Sequence, residues 1–342
     1  MFKSGATRVM DKPVKHNAAS SDTDESLAIR AAWLHYVGGL TQSTVAKRLG
    51  LPSVKTHRLI AKAVAEGVVK VTIDGDIVEC VALEMRLSQQ FGLDYCEVAP
   101  DLGEDGLALR ALGAAGAGFL KREIERGEHK VIGLGHGRTL AAAVQHMPRL
   151  NGSAVRFVSL LGGLTRHYAA NPYDVMHRLA EKTGTSAFVM PVPFFANTQD
   201  DRDVLLAQRG VRDVFDMANQ ADLKLVGIGT VDAQAQLVQS GMLEIAEMDA
   251  IAQQGGVGEL LGHFFDDRGR VLETGLTNRT LAASFPTHRG DRLVALAGGA
   301  AKVAAIRAVL NSNRLFGLIT DEATARLLLE DTPMSSKNTD RP

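Results

Sequence analysis

Residues 40–71, LTQSTVAKRLGLPSVKTHRLIAKAVAEGVVKV, decide the reading of the N-terminal part of this chain. They overlap a longer run, residues 31–65, that holds no Asp or Glu but carries Lys47, Arg48, Lys55, Arg58 and Lys62, on a protein whose formal net charge is only -1. Thr41 is a helix-capping residue, and Val45, Ala46 and Leu49 form a short inward face that stops at Gly50. Pro52 and Ser53 open the next helix, with Val54, Leu59, Ile60 and Ala63 as its apolar side and Gly67 at its end. Before them, Leu27, Ile29, Ala31, Ala32, Leu34 and Val37 mark a first helix from Asp24 to Gly38-Gly39, and Trp33, the only tryptophan, is expected in its core. After them, Val68 to Ile73 and Asp76 to Cys80 flank Asp74-Gly75, the pattern of a hairpin with a type I′ turn. Three helices and a hairpin predict a winged helix-turn-helix over residues 23–80, with a linker helix over 81–92.

In such a motif the second helix enters the major groove and uses its N-terminal side chains on base edges, while neighbouring groups hold phosphates. That assigns Ser53, Lys55, Thr56, His57 and Arg58 to the DNA face, with Thr41, Gln42 and Thr44 at the start of the preceding helix near a phosphate. Arg58 or Lys55 suits guanine, and Thr56 suits a thymine methyl group. A solvated basic face on an interaction domain is the plainer alternative. Because the whole chain is near neutral, the basicity is regional, which argues against nonspecific nucleic-acid binding by the molecule as a whole.

The remainder, residues 93–330, alternates apolar runs with helical patterns. Strands are expected at 95–98, 130–134, 155–161, 187–192, 223–228, 293–297 and 315–319, and helices at 104–127, 139–147, 172–183, 232–240, 300–311 and 321–330. Such alternation implies an α/β domain with a mainly parallel sheet covered on both faces. Residues 1–22 and 331–342 read as polar tails. With 45% hydrophobic residues the chain can bury a sizeable core, and it has no apolar run of the roughly 18–20 residues that a membrane span needs, so a cytoplasmic protein without membrane contact is expected. Cys80 and Cys96, each assigned to a strand, make no disulfide framework, and no His/Cys spacing suits a metal, so neither metal nor cofactor is expected.

Several predicted strands end in glycine: GLGHG (133–137), LLGG (160–163), GIGT (227–230) and AGG (297–299). These loops fall at the carboxyl ends of strands, where open α/β sheets bind ligands. In Gly135-His136-Gly137-Arg138-Thr139 the glycines permit close backbone approach, the helix start attracts an anion, and Arg138 and Thr139 add a charge and a hydroxyl. The loop lacks the spacing of a dinucleotide fingerprint and the Gly-Lys-Ser/Thr end of a P-loop. Lys302, in the first turn after Gly299, offers a second cation, and Glu259 in GGVGELLG can accept hydrogen bonds from sugar hydroxyls. Tight turns, a surface lysine and a solvated glutamate at a helix start are the respective structural alternatives.

The ordered series of the helix-turn-helix segment, GLGHGRT, LLGG, NPYDV, GIGT, GGVGELLGHFFDDRG, AGGAAK and LITDEATARLLL resembles the SorC/DeoR-type sugar-binding transcriptional regulators over about residues 25–330. It is also similar to the branch of that family that regulates erythritol and related polyol catabolism. The resemblance implies an N-terminal DNA-binding domain and a C-terminal effector domain similar to phosphosugar isomerases and deaminases. It also implies homodimers or homotetramers whose affinity for operator DNA changes with a bound sugar, polyol or sugar phosphate. Carried over, the effector pocket comprises Gly135 to Thr139, Gly162, Gly163, Glu259 and Lys302. Where the family often has Thr-Val-Ser-Arg in the recognition helix, this chain has Lys55-Thr56-His57-Arg58, and the aromatic common in the first glycine loop is His136.

The expectation is therefore a regulator, a repressor, of a carbohydrate or polyol catabolic operon. The rival is a sugar-phosphate isomerase or deaminase with an accessory N-terminal domain. That enzyme needs a general base, for which Glu259, Asp232 and His136 are the candidates, but their spacing defines no catalytic arrangement.

Overall fold

The structure, a computed structural model, describes residues 24–69, 77–152, 154–163, 175–285 and 291–330. The chain divides into two compact units between Ile73 and Asp74. Both expected polar tails lie outside the described residues.

In the first unit, α1 (Asp24–Ala32) runs into a π-helical turn (Trp33–Val37) and is followed by α2 (Gln42–Leu49) and α3 (Ser53–Ala65). Thr41 Oγ1 accepts the Thr44 N–H at 3.3 Å, satisfying a first-turn donor of α2. Gly50 ends that helix at φ 66°, a conformation glycine adopts without steric cost. The core is small and alanine-rich: Ala28, Ala31, Ala32, Val45, Leu59, Ile60 and Ala63.

Three expectations fail here. Trp33 is 59% exposed rather than buried, and Ile29 and Val37 also face solvent. Ile29 and Trp33, four residues apart, share a side turned away from the buried stripe of Ala28, Ala31 and Ala32, and after Trp33 a π turn, in which Gly38 N–H bonds to Trp33 O five residues back, shifts the phase that carries Val37. Val54 is exposed, and Thr56 is fully buried in its stead, because 56, 59, 60 and 63 form one stripe of α3 from which residue 54 is displaced. Finally, Ile77 to Cys80 form no strand. Helix α4 spans Val78–Phe91 and buries Cys80, Leu83, Leu87 and Phe91 at helical spacing, so packing overrides the β propensity of Ile77 and Val78. Val68 and Val69 form no strand, and Lys70 to Asp76, which include the Asp-Gly turn of the expected wing, lie outside the described residues.

Helix α4 thus begins before the expected linker and packs into the core of the second unit. That unit continues through β1 (Tyr95–Ala99), α5 (Leu109–Arg126), β2 (Val131–Leu134), α6 (Arg138–His146), β3 (Arg156–Ser159), α7 (Met176–Thr183) and β4 (Ala187–Phe188). Helices α8 (Gln199–Ala207) and α9 (Arg209–Asn219) precede β5 (Leu223–Val226). An excursion follows: β6 (Gly229–Thr230), α10 (Gln236–Gln239), α11 (Ile245–Gln253), β7 (Gly258–Leu260), β8 (His263–Phe265), β9 (Val271–Leu272) and α12 (Gly275–Asn278). The unit closes with β10 (Arg292–Leu296), a 3-10 turn (Ala300–Lys302), α13 (Val303–Asn311), β11 (Gly317–Asp321) and α14 (Glu322–Glu330).

Seven parallel strands form one sheet in the order β1-β11-β10-β5-β2-β3-β4. Alternate residues of each strand enter different cores. Ile132, Leu134, Val294 and Leu296 pack under α5 and α6, while Val131, Leu293 and Ala295 belong to the core that includes α4 and α13. The sheet is therefore doubly wound. From β2 the chain moves outward to β3 and β4, then returns to place β5 on the other side of β2, so the strand order reverses between β2 and β5. The excursion after β5 adds a second, four-stranded antiparallel sheet, β6-β7-β8-β9. Among the described residues, no helix is long and apolar enough to cross a membrane.

Gly162 has a packing role. A Cβ there would stand 2.4 Å from Pro193 O, a backbone atom that cannot swing away. Gly162→Ala is expected to lower stability by about 1–3 kcal/mol, the usual range for overpacking. Thermal melting checks this, and an unchanged midpoint would show that the loop has room to relax.

Candidate functional site

The strand-order reversal brings three glycine loops together. Gly135 N–H bonds to Leu225 O at 2.9 Å, laying the loop after β2 on β5. A Cβ on Gly227 would stand 3.5 Å from His136 O, so the loop after β5 lies against the same segment. Gly137, at φ 131°, turns the chain into α6, whose first N–H groups have no acceptor within the helix. Gly298 and Gly299 make the third loop. A Cβ on Gly298 would overlap Asp321 Oδ2, and Gly299 N–H bonds to Asp321 Oδ2 at 3.1 Å and Thr324 Oγ1 at 2.7 Å. Asp321 also accepts the Thr324 N–H at 2.9 Å and its hydroxyl at 2.7 Å, so one buried carboxylate both caps α14 and fixes the turn that leads to Lys302.

Lys302 and Glu259 meet over the segment after β5. Lys302 Nζ donates to Ile228 O at 2.6 Å. Glu259, on β7 directly opposite Gly229, holds its carboxylate where a Gly229 side chain would be: a Cβ there would lie 2.5 Å from Glu259 Oε2. Its Oε1 accepts the Gly262 N–H at 2.7 Å. Burial pushes the Glu259 carboxyl up to about 7, with the Gly262 bond and Lys302 pulling the other way. Burial pushes Lys302 down to about 8, helped by Arg138 and opposed by Glu259 and Asp232. Near neutrality, then, both groups sit close to changing charge. The glutamate lies on a short antiparallel strand and is no solvated helix-start residue.

His136 is fixed from β3. Ser159 Oγ donates to Leu161 O at 2.7 Å, which leaves it to accept from His136 Nε2 at 3.1 Å and so assigns the proton to Nε2. Three other expected residues serve the scaffold. Thr139 is buried and its hydroxyl donates to Leu296 O at 3.0 Å, tying α6 to β10 instead of facing a ligand. The N–H groups of Gly162 and Gly163 bond to Leu281 O at 2.9 Å and Val192 O at 2.8 Å, so neither is an anion donor. Within NPYDV, Asn171 to Asp174 lie outside the described residues.

What remains at the crevice is a half-buried Lys302, an exposed Arg138, the α6 N-terminus, a carboxylate and an imidazole. Cations with oriented N–H groups suit an anionic group, and a carboxylate suits hydroxyls. Among the described residues no cluster of His, Cys, Asp or Glu could hold a metal ion. Cys80 and Cys96 are free; burial pushes both thiols up, Cys96 to about 12, so neither is poised as a nucleophile.

In the first unit, Thr41, Thr44, Ser53, Lys55, His57 and Arg58 are exposed around the start of α2 and the first turns of α3. Gln42 Oε1 accepts from His57 Nδ1 at 3.1 Å, joining the two helices, and Lys55 reaches Asp24 at 3.2 Å. Thr56 does not belong to this face: it is buried, and its hydroxyl donates to Pro52 O at 3.2 Å. The exposed apolar side chain on the first turn is Val54, which the helical stripe obscured in the sequence.

A model of the sugar-binding domain family (Sugar-bind) matches residues 75–330. The chain belongs to the SorC/DeoR-type sugar-binding transcriptional regulators. It is 70% identical over 309 residues to the erythritol catabolism regulatory protein EryD of Brucella abortus, covering 90% of this chain and 98% of that one. It is 34% identical to the transcriptional regulator LsrR of Klebsiella pneumoniae, covering 90% and 93%. The crystal structure of the full-length sorbitol operon regulator SorC from Klebsiella pneumoniae superposes with a TM-score of 0.66 at 25% identity, over 90% of this chain and 99% of that one. These relatives are regulators of transcription and not enzymes, which removes the isomerase or deaminase reading of Glu259, Asp232 and His136.

Proposed function

We propose that the protein represses an operon for catabolism of a four-carbon polyol, erythritol or its phosphate, and releases operator DNA when that effector occupies the crevice at the strand-order reversal. The observation that carries the reading is the convergence of Lys302, Arg138 and Glu259 on the carboxyl ends of β2, β5 and β10. The likeness to EryD points to the polyol. In this reading Lys302, Arg138 and the N–H groups of Gly137 to Thr139 hold the phosphate, while Glu259 and His136 take hydroxyls. Ser53, Val54, Lys55, His57 and Arg58 face the major groove, and Thr41, Gln42 and Thr44 face phosphates. Val54 replaces Thr56 as the group against a thymine methyl. The regulator acts in the cytoplasm as a homodimer or homotetramer, placing paired recognition helices on a two-fold operator.

The test is a thermal-shift titration with erythritol and with erythritol phosphate. A ligand at 100 times its dissociation constant adds about 2.7 kcal/mol to the native state. A shift for the phosphate that exceeds the shift for the polyol supports the anion-binding role of Lys302, and the absence of any shift with either overturns the proposal.

The charge states set a pH dependence. Lys302 binds an anion only as the ammonium form, whose pKa here is about 8, so affinity for a phosphorylated effector falls as pH rises through about 8. Isothermal titration between pH 7 and 9 reads this directly, and Lys302→Met is expected to flatten the profile. A flat profile in the unaltered protein contradicts the assignment.

A further inference from the structure

A second cavity of about 360 Å³ lies in the same unit, built from α8, β8, β9, α12 and the residues after it, and the chain between α13 and β11. None of the crevice residues lines it. Its polar groups are Arg202, His263, Thr277, Thr280, Ser284 and Arg314, and among the described residues that line it there is no Asp or Glu. That volume lies within the range of small-molecule sites.

Both guanidinium groups are held in place. Arg202 Nε donates to Thr280 O at 2.9 Å and Nη1 to Asp203 Oδ1 at 3.1 Å. Arg314 lies over the Phe285 ring, 5.3 Å from its centroid. Phe285 is itself set by Phe265, edge-on at 5.2 Å, and by the His263 ring at 5.3 Å. An arginine pinned against an aromatic face loses little further freedom when it binds, and a planar fork of donors matches phosphoryl oxygens. The carboxylate paired with Arg202, Asp203, is mostly solvent-exposed. The cavity is separated from the crevice by the β7–β8 turn, in which Leu261 (φ 51°) and Gly262 (φ 79°) carry the chain from Glu259 to His263.

We propose that this cavity is a second anion site, taking the phosphoryl group of a small phosphorylated metabolite between Arg202 and Arg314, with Thr277, Ser284 and His263 as hydrogen-bonding partners. The site is independent of the effector crevice and stands whether or not the crevice reading holds.

The experiment uses inorganic phosphate as the probe on the full-length protein, by isothermal titration and phosphorus NMR line broadening. Arg314→Gln and Arg202→Gln are compared with Lys302→Met, and each variant is first shown to melt cooperatively. The unaltered protein is expected to bind phosphate at two sites per chain. Either arginine variant removes one of them, at least tenfold in affinity, and leaves the other, while Lys302→Met does the reverse. If both arginine variants retain every phosphate site, the second site is overturned and the crevice is untouched. If Lys302→Met retains every site while the arginine variants lose one, the crevice reading fails and the second site stands. The two arginine changes perturb different surroundings, so a folding defect in one leaves the other to decide.

Discussion

Lys302→Met is expected to weaken effector binding by roughly 100-fold, about 2.7 kcal/mol, while leaving operator binding intact. The size follows from the site. The ammonium group bonds to Ile228 O, neighbours Glu259, and is already desolvated enough to be pushed down to about 8. Removing it strips the effector of a cation in a poorly solvated setting and leaves the Glu259 carboxyl without its nearest opposing charge. Losing one member of a buried charged pair generally costs about 2–5 kcal/mol, so the expected effect is at the conservative end. In promoter-DNA binding assays the variant is a constitutive repressor. Wild-type release of DNA by the effector in this variant would exclude Lys302 from the site.

Arg58→Ala is expected to weaken specific DNA binding by about 1–3 kcal/mol, roughly 5- to 150-fold, and to relax specificity at one base position. Arg58 is exposed two residues along α3 from the buried Thr56, on the face opposite the alanine-rich core. Its loss therefore removes no packing, and melting should hardly change. The same measurement repeated at several salt concentrations separates base reading from phosphate contact. An arginine that only touches phosphate reduces the salt slope by about one and weakens all sequences alike. Equal weakening of specific and random DNA would reassign Arg58 to the backbone. Trp33, exposed at the start of the π turn, offers a fluorescence readout of the same titration.

The architecture of the second unit was largely legible in the sequence because buried parallel strands are written as continuous apolar runs. All seven strands of the main sheet were expected, and the glycine endings located the loops of the crevice. The antiparallel excursion was missed, as its strands are only two or three residues long and carry no periodicity. Glu259 was singled out without a strand to carry it, and the structure sets it on β7, which excludes the helix-start alternative. Helices α8 and α9 were missed as well; α8 buries no residue fully, and α9 fully buries only Val211 and Ala218.

In the first unit the helix order was readable, and side-chain direction was not. Trp33 was placed inside, yet it shares the solvent-facing side of its helix with Ile29, four residues before it. Thr56 was read as polar and therefore outward, yet a hydroxyl that can bond to the carbonyl four residues back is easily buried in a helix. Ile77 and Val78 favour a strand locally, but the Cys80, Leu83, Leu87 and Phe91 stripe starts α4 at Val78 and leaves Ile77 as its extended N-cap. At the crevice, Arg138 and Lys302 were singled out by their positions after strand-end glycines. Whether a glycine N–H or a threonine hydroxyl is spent within the fold depends on tertiary contacts, and that separated Thr139, Gly162 and Gly163 from Arg138 and Lys302.

The central claim is that the crevice and the DNA-binding helices are two ends of one switch. By linkage, the factor by which effector weakens DNA binding must equal the factor by which DNA weakens effector binding. Fluorescence anisotropy on DNA from the protein's own promoter, titrated at rising erythritol phosphate, tests this most directly. The account predicts operator affinity that falls with effector to a plateau at saturation, a fall that Lys302→Met abolishes. Operator affinity unchanged at saturating effector, with binding to the protein verified independently, would contradict it.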